Sequence, residues 1–76
     1  MEEAIYGQVN HIQVDNEIFQ IQSLELEDEL FFLVRRSGEI LCMIMQDNCK
    51  NWTADCEISE SQFNQIMNWV KKLYFK

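Results

Sequence analysis

The chain has 76 residues, 47% of them hydrophobic and 25% charged, with a formal net charge of −7. This is the composition of one globular domain near the lower size limit for a self-sufficient core, and it excludes a disordered chain. With no proline and only two glycines, Gly7 and Gly38, it also excludes proline-rich linkers, collagenous repeats and glycine-rich phosphate loops.

The charge is unevenly placed. Residues 1–34 hold eight acids and no Lys or Arg, whereas residues 35–76 hold five acids and six bases, a balance of +1. So acidic a chain is poorly suited to gripping phosphate backbones, and direct nucleic-acid binding is not expected. The opening MEEAIYGQ is acidic where a secretion signal needs a basic region. Arg35 and Arg36 interrupt the longest apolar run before it reaches the ~18 residues of a membrane span. A soluble cytoplasmic protein without membrane or cofactor partners is the expectation. Its three cysteines, Cys42, Cys49 and Cys56, cannot all pair within one chain and are expected as free thiols.

One domain is expected over residues 1–76, with 1–7 a loose leader, 8–58 a β-meander and 59–75 a helix. Ile5 and Tyr6 can extend the first strand. Ile12 and Val14 share one face, Asp15-Asn16 makes a turn, and Phe19 and Ile21 return on the same surface with Ile12 opposite Phe19. His11, Gln13, Gln20 and Gln22 fall on the other surface, so this first hairpin is half buried. Glu25, Glu27, Asp28 and Glu29 surround Leu26 in an acidic run. Such a run reads as a solvated turn that discourages edge-to-edge aggregation, or as an acidic patch for a basic partner. It does not match the spacing of a calcium loop.

The stretch LFFLVRRSGEILCMIMQ, residues 30–46, reads as a second hairpin reversing at Ser37-Gly38. A two-residue loop places Val34 opposite Leu41, Phe32 opposite Met43 and Leu30 opposite Met45. The other surface then carries Phe31, Leu33, Ile40, Cys42 and Ile44. A three-residue loop with Gly38 in a bulge shifts the register by one. Either way both faces are apolar, so the hairpin needs two covers. Arg35 and Arg36 flank the turn with Glu39 across it, as in a cross-strand salt bridge at a hairpin end.

After a polar loop at 47–51, Trp52, Ala54, Cys56 and Ile58 alternate with Thr53, Asp55 and Glu57, as in a short fifth strand or an extended connector. Ser59 then caps a helix, with Gln62 completing a capping box and Ile58 and Phe63 a hydrophobic staple. Glu60 in the first turn and Lys71, Lys72 and Lys76 near the end match the helix dipole. Phe63, Ile66, Met67, Val70, Leu73 and Tyr74 form one apolar stripe. Trp69 flanks it as a core margin or a contact residue. The fold expected is α+β: an antiparallel meander of four or five strands with one C-terminal amphipathic helix on one face.

Phe32, Val34, Gly38, Ile44, Asp47, Trp52, Ile66 and Tyr74 fall in an order that resembles small uncharacterised single-domain proteins of gut Bacteroidetes. That resemblance implies the meander-plus-helix fold and brings no activity, cofactor or site residue with it.

The sole histidine, His11, lies on a polar strand face with no nucleophile or orienting group placed beside it. The cysteines recur every seventh residue and contain no C-x₂-C pair of the kind zinc sites use. No catalytic, cofactor or metal residues are therefore assigned. The doubly apolar hairpin directs the first expectation to a non-enzymatic protein-interaction module, most simply a homodimer. Its candidate interface is Phe31, Leu33, Ile40, Cys42, Ile44 and Trp69. The second expectation is an acidic inhibitor or nucleic-acid mimic using Glu25, Glu27, Asp28 and Glu29 against a basic groove. The third is a metal- or thiol-dependent protein using His11 and the cysteines.

Overall fold

A computed structural model describes residues 3–56 and 58–75 of the chain. Three two-residue turns organise it. Asp15 and Asn16, Glu27 and Asp28, and Ser37 and Gly38 all lie in the left-handed region, with φ between 51° and 82°. Positive φ at both central residues is what a type I′ turn requires, and such turns match the right-handed twist of the strands they join. They connect β1 (Ile5–Val14), β2 (Glu17–Leu26), β3 (Glu29–Arg36) and β4 (Glu39–Gln46) into successive hairpins. A three-residue β5 (Trp52–Ala54) completes a five-stranded antiparallel sheet in chain order, followed by α1 (Glu60–Tyr74).

The α+β meander and its single helix are therefore as the sequence predicts. β1 includes Ile5, Tyr6 and Gly7 from the expected leader. Lys76 and Glu57, expected in the basic helix end and in the fifth-strand alternation, lie outside the described residues. Ile12 pairs with Phe19 as expected.

The central hairpin differs. Its turn has two residues, with Arg36 opposite Glu39, yet Val34 lies opposite Cys42, Leu33 opposite Met43 and Phe32 opposite Ile44. The register slips between Val34 and Arg35 because Leu41 is an extra residue on β4, a β-bulge. Side chains alternate every residue, so this slip exchanges the surfaces of everything beyond it. Cys42 and Ile44 join Phe32 and Val34 beneath the helix. Met43 and Met45 turn to the surface of Phe31 and Leu33.

The core lies between one sheet face and α1. Ile12, Val14, Phe19, Ile21, Phe32, Val34, Cys42 and Ile44 meet Ile66, Met67 and Val70 there. Complete burial of side chains such as Phe19, Phe32, Ile44 or Ile66 contributes about 1.5–3 kcal/mol each. The helix starts where Ser59 Oγ accepts from the Gln62 N–H at 3.0 Å. It closes where the Phe75 N–H donates to Lys71 O at 3.1 Å. An aromatic cluster fills the end of the core: Phe32 meets Tyr74 at 4.9 Å and Trp52 at 5.5 Å between ring centroids. Trp52 thus serves to cover the core. The Tyr74 hydroxyl, the polar tip of this cluster, accepts from Asn10 Nδ2 at 2.9 Å.

Candidate functional site

The sheet surface opposite the helix is built by register. Tyr6 lies across from Leu24, Leu24 from Phe31, Val9 from Gln22, and Gln22 from Leu33, which in turn faces Met43. Continuing the β3–β4 register by two positions from Leu33 and Met43 places Met45 beside Phe31. Two apolar rows therefore cross the uncovered face, Tyr6–Leu24–Phe31–Met45 and Val9–Leu33–Met43, with Gln22 interposed in the second. Leu24 and Leu33 are only 8% and 6% exposed, yet neither belongs to the core cluster under the helix. Tyr6 is 59% exposed at the β1 edge.

A polar row borders this patch. Gln20 pairs across to both His11 and Arg35, and Arg35 to Ile40. The Gln20 side-chain amide lies 3.2 Å from His11 Nε2. Arg35 Nη1 donates to Gln22 Oε1 at 2.8 Å, and Gln22 Nε2 donates to Gly7 O at 3.0 Å. This chain of contacts braces the guanidinium against the sheet. Ile40, 61% exposed, ends the row beside the turn. Arg36 does not use Glu39: its Nη1 lies 3.6 Å from Glu17 Oε2, because β2 passes beside β3 on the core surface at this end.

The expected interface residues are therefore separated. Phe31, Leu33 and Ile40 share the uncovered face, but Cys42 and Ile44 are core residues, displaced from it by the Leu41 bulge. Met43 and Met45 take their places on that face. Trp69 belongs to the helix seam: its Nε1 donates to Gln13 O at 3.2 Å, and Lys72 Nζ lies 5.3 Å over its ring. The indole fastens α1 to β1. The β3–β4 pairs beyond Leu41 take the register that the sequence left open for a three-residue loop, reached instead by a two-residue turn and a bulge at Leu41 that no residue type in β4 announces.

The acidic residues gather at the opposite end of the sheet. Glu27 and Asp28 form the β2–β3 turn, Glu25 is the penultimate residue of β2, and Glu29 opens β3 on the same surface as Phe31. A shallow hollow beside the turn is lined by Glu3, Ile5, Glu25, Leu26, Glu27 and Asp28. Among the described residues, no group of three or more His, Cys, Asp and Glu side chains is arranged to hold a metal ion. Cys49 is exposed in the loop before β5, Cys56 is half-buried and Cys42 is buried. Burial pushes the Cys42 thiol up to about 12, with a hydrogen bond to Cys56 and the charges of Cys56 and Asp55 adding to the effect. Among the described residues, no helix is long and apolar enough to cross a membrane.

Comparison of the chain with family models, curated proteins and solved structures returns no match.

Proposed function

We propose that this chain is a non-enzymatic interaction module that self-associates through the uncovered face of its sheet. The observation that carries this reading is the pair of apolar rows centred on Phe31 and Leu33. A strand pair apolar on both surfaces needs two covers, and α1 supplies one.

The occupant is a second copy, argued from charge. β3 presents Arg35 at one end of this face and Glu29 at the other. A two-fold axis lying between the two stacked sheets, parallel to them and perpendicular to β3 over Phe32, sets each Leu33 against Phe31 of the second copy. The same axis sets each Arg35 against Glu29 of the second copy, and it holds the two acidic turns at opposite ends of the dimer. A self-complementary surface with an apolar centre and a charged margin results. A soluble cytoplasmic homodimer fits this reading.

Light scattering over a concentration series tests it. The expected mass is twice 9.1 kDa, falling to 9.1 kDa in Met43→Glu and Phe31→Ser variants whose circular dichroism is unchanged. Arg35→Glu should weaken the dimer, and adding Glu29→Arg should restore it. A steady monomer mass for the natural chain at every concentration overturns the reading.

The hollow lined by Glu3, Glu25, Glu27 and Asp28 favours a second reading, an acidic inhibitor occupying a basic groove on a larger protein. Capture of a basic partner that is lost on raising salt and on neutralising Glu25 and Asp28 supports it. Capture indifferent to both removes it.

A further inference from the structure

We infer that Cys42 and Cys56 form a reversible dithiol–disulfide pair that latches β5 and its following segment to β4. Ladder register brings them together. Gln46 lies opposite Trp52, Met45 opposite Thr53 and Ile44 opposite Ala54. The pairing runs past the end of β5. The Asp55 N–H donates to Met43 O at 3.1 Å, and the Met43 N–H donates to Asp55 Oδ1 at 2.8 Å, a carboxylate replacing the usual backbone carbonyl. Continued by one more position, the same register opposes Cys42 and Cys56.

Met43 and Asp55 exchange hydrogen bonds, so in a continued ladder the Cys42–Cys56 position is a non-hydrogen-bonded one, the kind at which antiparallel Cα atoms stand about 4.5 Å apart and side chains approach most closely. That lies within the roughly 4.4–6.8 Å that disulfides bridge. Cys42 belongs to the buried cluster and Cys56 packs against it. Cys49 lies beyond the other end of β5 and takes no part.

The oxidant is a low-molecular-weight disulfide such as oxidised glutathione. The Cys56 thiol, the more accessible of the two, loses its proton and attacks one oxidant sulfur. A Cys56 mixed disulfide forms, the oxidant S–S bond breaks and one thiolate leaves. Cys42 then gives up its proton and attacks Cys56 Sγ, expelling the second thiolate. Two protein thiols are oxidised, one small disulfide is reduced, and the two protons end on the two released thiols. The closed bond holds the shortest strand against β4. The dithiol form leaves that strand free to peel from the sheet edge. This pairing is independent of whether the opposite face self-associates.

The test uses the folded Cys49→Ser chain, reduced and then incubated with oxidised glutathione. Both remaining thiols should disappear, with a mass decrease of about 2 Da and reversal by dithiothreitol. Trypsin should release peptides 37–50 and 51–71 as one linked species, and amide exchange in 52–54 should slow. A Cys56→Ser chain should keep its Cys42 thiol under the same treatment. Persistence of both thiols, arrest at a mixed disulfide, or bond formation only in denaturant would each overturn the inference.

Discussion

Val34 lies opposite Cys42, one residue further along β4 than the two-residue turn at Ser37 and Gly38 would place its partner. The bulged Leu41 makes the difference, and it decides which side chains of β4 the helix covers. Ile44 and Met43 are adjacent in sequence but should respond differently to truncation. Ile44→Ala is expected to lower stability by about 2–4 kcal/mol, since the residue is fully enclosed in the core. Met43→Ala, on the other sheet face, should cost less than about 1.5 kcal/mol. Urea unfolding of the two variants checks the register: equal losses, or the reverse order, would place Met43 in the core.

The turn at Ser37 offers a gain instead. Ser37 adopts φ 55° ahead of Gly38, a conformation that Asn enters more readily than Ser. Ser37→Asn creates the favoured Asn-Gly turn and should raise stability by about 0.5–1 kcal/mol with no change in the slope of unfolding against denaturant. A midpoint that falls would mean that the Ser37 side chain has a role beyond the turn.

Gly7 sits where β1 slips in register between Tyr6 and Val9, close against β2. A Cβ there would run into the Ser23 side chain, whose hydroxyl can turn away only by giving up its position. Gly7→Ala is therefore expected to cost about 1 kcal/mol, and Ser23→Ala to recover most of that loss. A double-mutant cycle measures the recovery. Additive losses would show that backbone shape, and not the approach of Ser23, requires glycine.

Cys42 makes stability fall in alkali. Its thiol is raised from 9.0 to about 12, mainly by burial. Between these values the folded chain retains a proton that the unfolded chain has released. Its contribution is intact below about pH 9 and declines as pH rises toward 12. The reduced natural chain should lose stability between pH values of about 8 and 11 more steeply than a Cys42→Ala chain does. Parallel losses in denaturant midpoints would assign the alkaline effect to other groups. Alkylation near neutral pH should mark exposed Cys49 first and Cys42 last.

Much of the architecture was legible in the residues. Alternation of Ile12, Val14, Phe19 and Ile21 against His11, Gln13, Gln20 and Gln22 defined the first hairpin and its register, because across these eight positions one face is apolar and the other polar. Ser59 and the stripe from Phe63 to Tyr74 defined the helix, because capping and period are local properties.

The central hairpin was a different case. With both faces apolar, shifting its register exchanges one hydrophobic set for another, and alternation cannot distinguish the two. The choice was made by packing beneath α1. There the compact Cys42 and branched Ile44 fill the space around Phe32 and Val34, while the longer Met43 and Met45 face outward. The tertiary structure also packed Cys56 against the cluster that holds Cys42, a proximity that their sequence spacing did not disclose. The sequence by itself determined the elements, their order and the presence of a second apolar face. Only the tertiary structure decided which residues compose that face, because two nearly equivalent local registers differ chiefly in how they meet the helix.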